Sequence, residues 1–204
     1  MPKNVSPEQV KEIQEKLKNM SPEELKSFVA QQCLFCQISS GKIPSRKIYE
    51  DDDVIAILDI NPAADGHTLL IPKEHYQIIG QIPDDFLGHI FVVANKLGLV
   101  IAETLQATGY NVFVANGASA GQNAPHAIIH IIPRNENDDV GLMWQAHKGD
   151  EQKLDSVFDN LASKLKGLII KKEQPKQIVY RKEESKEEKK VEKKKRETER
   201  KRIP

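Results

Sequence analysis

The chain has 204 residues with 30 basic and 30 acidic side chains, but its net charge of zero combines two oppositely charged parts. Residues 171–204 contain 15 Lys and Arg against 8 acidic residues, which leaves 15 basic and 22 acidic residues in the rest of the chain. The length is typical of one compact domain with extensions. No run of about 18 apolar residues or signal-peptide core is present, so we expect a soluble, cytoplasmic protein without a transmembrane helix.

Two helix starts with the same pattern occur near the beginning of the chain. Ser6-Pro7-Glu8-Gln9 and Ser21-Pro22-Glu23-Glu24 each combine a Ser N-cap, a Pro at the first helical position and Gln or Glu at the third. With the apolar residues that follow, they predict two short helices of about 13 and 10 residues. We interpret residues 1–31 as a helical extension that covers the core domain, with partner binding as the alternative.

Cys33 and Cys36 are the only cysteines, and they form a Cys-x-x-Cys pair directly after the second predicted helix. One such pair does not make the disulfide framework of a small secreted protein. Two thiolates at this spacing are a common half of a tetrahedral zinc site, whereas redox pairs follow a strand at the start of a helix. We therefore interpret the pair as zinc ligands, with reduced free thiols as the alternative.

The next part of the chain predicts strands and one long helix. Lys47–Glu50 and Val54–Asp59 flank an acidic turn and predict a hairpin, and His67–Ile71 predicts a third strand. A long helix is predicted over Pro83–Leu105, and Thr108-Gly109 is expected to end it. Its buried side is predicted to carry Phe86, Ile90, Val93, Leu97 and Ile101.

A loop of small residues lies between two more predicted strands. Tyr110–Ala115 predicts a strand, residues 116–124 the loop, and His126–Ile132 the final strand. Because side chains alternate along a strand, His126, Ile128 and His130 are expected on one face. The opposite face is expected to carry Ala127, Ile129 and Ile131.

The last part of the chain is predicted as a helix followed by a charged tail. Residues 136–170 form a C-terminal helical segment with a helix predicted over Glu151–Leu165. In residues 171–204 no apolar stripe is present, because Lys182–Arg202 has Val191 as its one apolar residue. We predict a mobile tail there.

The motifs from Cys33 to Arg134 resemble the histidine-triad (HIT) family, whose signature is His-φ-His-φ-His-φ-φ with φ apolar. The segment His126–Ile132 matches this signature except that Ile128 replaces the middle histidine. Residues 55–62, 66–73 and 116–122 also match the family in order and spacing. The resemblance implies a HIT domain over residues 32–135, with an α+β fold in which an antiparallel sheet of about five strands packs on the long helix. It also implies a homodimer formed through that helix and an edge strand.

The resemblance further implies a nucleotide-binding site. In the family, the residue at the position of Asp59 hydrogen-bonds the ribose hydroxyls, and a carboxylate suits this task because its two oxygens accept from adjacent O–H groups. The small residues of the loop allow backbone N–H groups to approach a phosphate closely. An Asp that only ends a strand, and a loop that only connects two strands, are the alternatives. The residues implied to contact phosphate or order the site are Asn116, Gln122, Asn123 and His130.

The zinc interpretation gains two ligands from the resemblance. Some members of the family complete such a site with a histidine after the third strand and with the first histidine of the triad. The matching residues here are His75 and His126, which would join Cys33 and Cys36. Two sulfurs and two imidazoles make a closed site for Zn²⁺, structural rather than catalytic.

The chemistry implied by the resemblance is altered by Ile128. The middle histidine attacks phosphorus in the family, and an isoleucine cannot. His130 and His67 remain as candidate catalytic residues, but two strand residues separate positions by about 6.6 Å, whereas attack tolerates errors of only about 1 Å. We therefore predict a protein that binds a purine nucleotide or a nucleotide conjugate.

Two alternative functions stay open at this point. The first is an active hydrolase of nucleotide phosphoesters or phosphoramidates, or a nucleotidyl transferase, with a non-standard mechanism that uses water. The second is an interaction module whose basic tail contacts RNA or a ribosome, since clustered Lys and Arg bind polyanions. The glutamates between those basic residues weaken the second alternative, and no membrane partner is predicted.

Overall fold

The computed structural model describes residues 18–142 and 144–168. The chain divides into two compact units, Met1–His147 and Lys148–Pro204. The first predicted helix lies largely outside the described residues, and the charged tail lies wholly outside them. The elements of the first unit are α1 (Pro22–Gln32), α2 (Leu34–Ser39), β1 (Lys47–Glu50), β2 (Val54–Leu58), β3 (Thr68–Pro72), α3 (Asp84–Leu105), β4 (Gly109–Val114) and β5 (Ile129–Arg134). The second unit contains α4 (Glu151–Leu165).

The five strands form one antiparallel sheet in the order β1-β2-β3-β5-β4. Both faces of the sheet are covered, which explains why β2 and β3 are almost continuously apolar. One face packs against α3, and the other carries a smaller cluster of five buried residues: Ile38, Ile55, Ile57, Leu69 and Ile71. The predicted α+β fold, an antiparallel sheet of five strands packed on the long helix, is therefore confirmed.

Helix α1 confirms the second of the two predicted helix starts. Ser21 lies at the N-cap, its hydroxyl accepts from the backbone N–H of Glu24, and the Glu24 carboxylate accepts from the backbone N–H of Ser21. This reciprocal pair satisfies two backbone N–H groups that a helix start leaves unpaired. Helix α2 was not predicted, because six residues without a side-chain cap give too short a periodic pattern.

Helix α3 confirms the predicted long helix and ends at Leu105 as expected, but Thr108-Gly109 does not form its C-terminal cap. Its last residue is Leu105, and Gln106 follows in the left-handed conformation with a φ of 55°. The N–H of Ala107 then donates to the carbonyl of Ala102 at 2.9 Å, which completes a helix end of the Schellman type. The glycine at 109 is therefore not the residue that terminates the helix; it begins β4.

One face of α3 is apolar and exposed. Ile90, Val93, Ala94 and Ile101 pack into the core, whereas Phe91, Val92, Leu99 and Val100 are 40–59% exposed. By length and composition alone, this 22-residue helix, whose most apolar 18-residue window has a mean hydropathy of 1.5, could also cross a membrane. Its packing against the sheet identifies it as the core helix of the first unit. The exposed apolar face is the kind of surface that marks a protein interface.

Strand β5 begins at Ile129, so the predicted start at His126 was wrong. The pairing of β3 with β5 ends where Leu70 lies opposite Ile129. Before that pair, the N–H of Ala127 donates to the carbonyl of Tyr76 at 2.6 Å, in the turn that follows β3. The segment after β3 and the segment before β5 therefore no longer pair as strands at this point, and His126 lies outside the sheet.

The predicted alternation of side chains is nevertheless confirmed. Ile128 packs against the smaller cluster on the face opposite α3. The residues expected on the other face lie in the core against α3, and they are Ala127, Ile129 and Ile131.

Helix α4 confirms the last predicted helix. Asp150 caps its start by accepting from the N–H of Lys153 at 2.9 Å. Its apolar stripe is 53–68% exposed, and the stripe consists of Leu154, Val157, Phe158, Leu161 and Leu165.

We predict that Gly98→Ala lowers the free energy of unfolding by about 1–3 kcal/mol. A Cβ at Gly98 would overlap the ring of Tyr110, and that ring is held by its hydroxyl, which donates to Asn95 at 2.9 Å. Gly88→Ala in the same helix is the control, because no atom lies within 4 Å of its new Cβ. There the better helix propensity of Ala should raise stability by up to about 1 kcal/mol. Urea unfolding followed by circular dichroism measures both changes, and equal effects would contradict the prediction.

Candidate functional site

A cavity of about 880 Å³ lies over the sheet face opposite α3. Its apolar wall comes from α2, the segment after it and the strands, and comprises Phe35, Ile38, Ile43, Ile57, Leu69 and Ile128. Polar side chains line the remainder, and they include Asp59, Asn61, Gln122, Asn123 and His130. The apolar wall suits a flat apolar group, while the polar part suits a ligand with several oxygens.

Cys33, Cys36, His75 and His126 meet beside this cavity. The Sγ of Cys33 lies 3.4 Å from Nδ1 of His126, and the Sγ of Cys36 lies 3.2 Å from Nδ1 of His75 and 3.6 Å from Nδ1 of His126. All four donor atoms lie within 4.8 Å of one another, and all but His75 are buried. The sequence prediction had named these four residues, and the structure brings them together.

The donor set fits a tetrahedral zinc ion. Zn–S bonds of about 2.3 Å and Zn–N bonds of about 2.0–2.1 Å place sulfur and nitrogen about 3.6 Å apart in a tetrahedron, close to the three distances above. Nε2 of His126 lies 3.0 Å from the carbonyl oxygen of Pro72 and can bond it only as a donor. The lone pair of His126 is therefore on Nδ1, which faces the sulfurs, and such an outer hydrogen bond is usual for a metal-binding histidine.

Burial shapes the titration of these groups in the absence of a cation. Burial lowers the pKa of His126 to about 4, and the positive charge that His75 can carry lowers it further, while the bond to Pro72 acts in the opposite direction. Burial and the neighbouring Cys33 raise the pKa of Cys36 to about 12. The imidazole is thus neutral and ready to donate its lone pair, whereas the thiol of Cys36 ionises only if a cation compensates its charge.

A second group of side chains, Asp59, His67 and His130, lies at the polar end of the sheet. The backbone N–H of Ala63 donates to Nδ1 of His67 at 3.1 Å, so the neutral ring carries its hydrogen on Nε2. Nε2 of His67 then donates to Nδ1 of His130 at 3.0 Å. Consequently the hydrogen of neutral His130 is on Nε2. Asp59 Oδ2 is 3.6 Å from Nδ1 of His67, too far for a hydrogen bond.

Both histidines are neutral near pH 7. Burial lowers the pKa of His67, although the charge of Asp59 raises it in part. Burial also lowers the pKa of His130, and the positive charge that His67 can carry lowers it further. The negative charge of Asp59 raises this pKa in part. His130 therefore offers an N–H donor on Nε2, which can bind a phosphate oxygen but has no lone pair for attack on phosphorus.

Asp59 both orders a turn and lines the cavity. It follows the end of β2, and its Oδ1 accepts from the N–H of Asn61 at 2.9 Å, which orders the turn. It also lines the cavity with only partial burial. Of Ile55 and Ile57, which the sequence assigned either to packing or to a base pocket, Ile55 is fully buried below the cavity and Ile57 lines it.

The loop before β5 is held mainly by the side chain of Gln122. Its Oε1 accepts from the N–H of Gly117 at 2.7 Å, and its Nε2 donates to the carbonyls of Gln77 at 2.6 Å and Ala124 at 2.9 Å. Asn116 accepts from the N–H of Ile79 at 3.0 Å and does not line the cavity. Asn116 thus orders the loop and Gln122 both orders it and faces the cavity, together with Asn123.

Several cavity residues were missed by the sequence reasoning. Leu34 and Phe35, between the two cysteines, form part of the wall, and Arg46 also lines the cavity. Ile60 also lines the cavity and is 81% exposed. The only signal in the sequence was the apolar pair between the cysteines, because the other residues lie in segments without a motif.

Comparison with known proteins gives a consistent result. A family profile described as the HIT domain matches residues 40–137. The Candida albicans protein named adenosine 5'-monophosphoramidase HNT1 is 38% identical over 138 residues, which are 65% of this chain and 91% of that protein. A crystal structure of a HIT family member from Bacillus subtilis has a TM-score of 0.60 at 35% identity, and the match covers 68% of this chain and 99% of that one.

A further solved structure similar to this chain contains zinc. It is a zinc-bound histidine triad family protein from Mycobacterium smegmatis, with a TM-score of 0.53 at 30% identity. The match covers 67% of this chain and 97% of that chain.

We predict that Gln122→Glu lowers the free energy of unfolding by about 1–3 kcal/mol, because a carboxylate cannot donate to the carbonyls of Gln77 and Ala124. Asn123→Asp makes the same change of charge at the next residue and is the control. Thermal and urea unfolding of both variants give the measurement. A Gln122→Glu protein as stable as the Asn123→Asp protein would show that these hydrogen bonds do not hold the loop.

Proposed function

The chain belongs to the HIT family, and from this premise we propose that it binds a purine nucleotide or a nucleotide conjugate in the cavity. The observation that carries the proposal is the composition of the cavity wall. One side is apolar, and the other side brings Asp59 and His130 to the same space.

Each part of a nucleotide has a matching part of the wall. A base can lie against Phe35 and Ile57, and the carboxylate of Asp59 can accept from ribose hydroxyls. The Nε2–H of His130 can donate to a phosphate oxygen, and Gln122 and Asn123 of the loop line the same cavity. The volume of about 880 Å³ is within the range of small-molecule sites. The name of the Candida albicans relative favours an adenine nucleotide.

Two observations favour binding over covalent catalysis. Ile128 occupies the position of the nucleophile and contributes an apolar side chain to the cavity wall. The hydrogen bonds from Ala63 to His67 and from His67 to His130 leave His130 as a donor rather than a nucleophile. The chain can therefore bind a nucleotide or nucleotide conjugate without hydrolysing it.

The second candidate function is enzymatic. The name of the Candida albicans relative describes a phosphoramidase, which favours hydrolysis of a nucleotide phosphoramidate. In this chain, such a reaction would need water as the attacking group, with His130 or His67 as candidate catalytic residues. A lower kcat in His130→Ala with AMP affinity retained would assign it that role, whereas weaker AMP binding would assign it to the binding site.

We also propose that Cys33, Cys36, His75 and His126 hold a structural zinc ion. Support comes from the distances among their donor atoms and from the zinc-bound relative from Mycobacterium smegmatis. When bound, zinc would cross-link α2 to the chain after β3 and to the segment before β5. Four protein ligands leave no open position, so the ion would have no direct part in chemistry.

A homodimer through α3 and the edge strand β4 completes the proposal. The exposed apolar residues of α3 would be covered by the same surface of a second copy in a two-fold arrangement. We place this dimer in the cytoplasm. The tail over residues 171–204, with RNA as its possible partner, lies outside the described residues, and its deletion would test any contribution to RNA association.

For the nucleotide site, we predict that AMP binds the native chain and that Asp59→Asn weakens binding about 10-fold, because a charged hydrogen-bond acceptor is replaced by a neutral one. Asp65→Asn is the control, since Asp65 is exposed in the same loop and does not line the cavity. Isothermal titration calorimetry with AMP and GMP gives both affinities. No binding of either nucleotide to the native chain would refute the proposed function.

For the metal, we predict that the purified chain contains about one zinc ion per protomer. Cys36→Ser and His75→Ala should lose it, since each removes one of four ligands. His147→Ala should keep it, because His147 is exposed and outside the cluster. Elemental analysis after dialysis gives the zinc content, and full zinc retention by Cys36→Ser would exclude the proposed ligand set.

For the dimer, we predict that Leu99→Asp converts the protein to a monomer, because it places a charge in an apolar interface. Ile60→Asp makes the same kind of change at an exposed residue on the cavity side and should leave the dimer intact. Light scattering coupled to size-exclusion chromatography gives the molar mass. A native monomer, or a Leu99→Asp dimer, would contradict this interface.

A further inference from the structure

The cysteine and histidine cluster and the nucleotide cavity share one short helix. Leu34 and Phe35 lie between Cys33 and Cys36, and both line the cavity. Helix α2 has only six residues, and Cys33 at its N-cap makes no side-chain capping bond. Because so short a helix is not stable by itself, its position depends on its anchored side chains. The buried ones within α2 are Cys36 and Ile38.

His126 connects the cluster to the opposite wall of the cavity. Its ring lies 6.0 Å from the ring of Phe35, centroid to centroid, and it lines the cavity itself. Its carbonyl oxygen is 3.4 Å from Nε2 of Gln122, the side chain that holds the loop. A displacement of His126 would therefore also disturb Phe35 in the apolar wall and Gln122 in the loop.

We propose that occupancy of the cluster by a thiophilic divalent cation such as Zn²⁺ regulates nucleotide affinity by fixing the wall formed by Leu34 and Phe35. The inference rests on the proposed nucleotide site and goes beyond a structural metal. Four ligands from three separate segments are joined by the ion, so α2 is held in the position that the base requires. Without the ion, α2 keeps fewer anchors, and the nucleotide must order the wall when it binds, at a cost in affinity.

Coupling between two sites is reciprocal. If the ion raises nucleotide affinity by a given factor, the nucleotide raises ion affinity by the same factor. A coupling of the usual size corresponds to about 5- to 150-fold in either affinity. This reciprocity provides two independent measurements on the same full-length chain.

The first measurement compares AMP binding to zinc-loaded and chelator-stripped protein by calorimetry. We expect AMP to bind the stripped form at least about 5-fold more weakly. Phe35→Ala should reduce the ratio between the two forms, because the wall that transmits the effect is truncated. Phe158→Ala, at an exposed phenylalanine of α4, should leave the ratio unchanged.

The second measurement starts from the zinc-loaded, folded protein and follows zinc transfer to a chromogenic chelator with and without AMP. We expect AMP to shift the transfer equilibrium toward the protein by the same factor. If the stripped protein unfolds in circular dichroism, AMP also favours zinc binding by stabilising the fold, so the transfer is then compared between Phe35→Ala and Phe158→Ala. We expect a smaller AMP effect in Phe35→Ala, and equal effects in the two variants would overturn the inference.

Three results would overturn the inference. Equal AMP affinity in folded loaded and stripped protein, or zinc transfer that AMP leaves unchanged, would overturn the coupling while the proposed nucleotide site stands. Absence of AMP binding to both forms would overturn the proposed function and this inference together.

Discussion

The antiparallel pairing of β3 with β5 is the constraint on which the rest of the site depends. It places Leu69 opposite His130 and ends one pair later, where Leu70 faces Ile129. Within the ladder, His130 is held beside His67, which immediately precedes β3. Beyond the ladder, the segment after β3 and the segment before β5 separate, which allows His126 to reach the cysteines. A register slip of one residue would move His130 to the face covered by α3.

In this geometry the three positions of the signature, His126, Ile128 and His130, have different roles. His126 has left the sheet and belongs with the sulfurs, where its bond to Pro72 directs its lone pair. His130 remains in the sheet and lines the cavity. Ile128, between them, packs against the buried cluster and closes the cavity floor with carbon atoms. Under the proposed function, the signature therefore describes a surface for a nucleotide more directly than it describes a reaction.

The sequence predicted those features that depend on local pattern or on the family motif. The strands, α3 and the four members of the cysteine and histidine cluster follow from alternation, helical spacing and matched positions. The sequence did not predict where β5 starts. Its start depends on the segment after β3, where the carbonyl of Tyr76 accepts from the N–H of Ala127. The sequence also did not predict that Arg46 lines the cavity, since only tertiary packing brings it there.

One measurement tests directly whether Ile128 leaves the binding site without a nucleophile. The native chain and Ile128→His are mixed with adenosine 5'-phosphoramidate, quenched, and examined by intact mass spectrometry for a covalent nucleotide adduct. We predict that the native chain binds the compound without an adduct and that Ile128→His forms one, because only the variant carries an imidazole at that position. A covalent nucleotide adduct on a histidine of the native chain would contradict the claim.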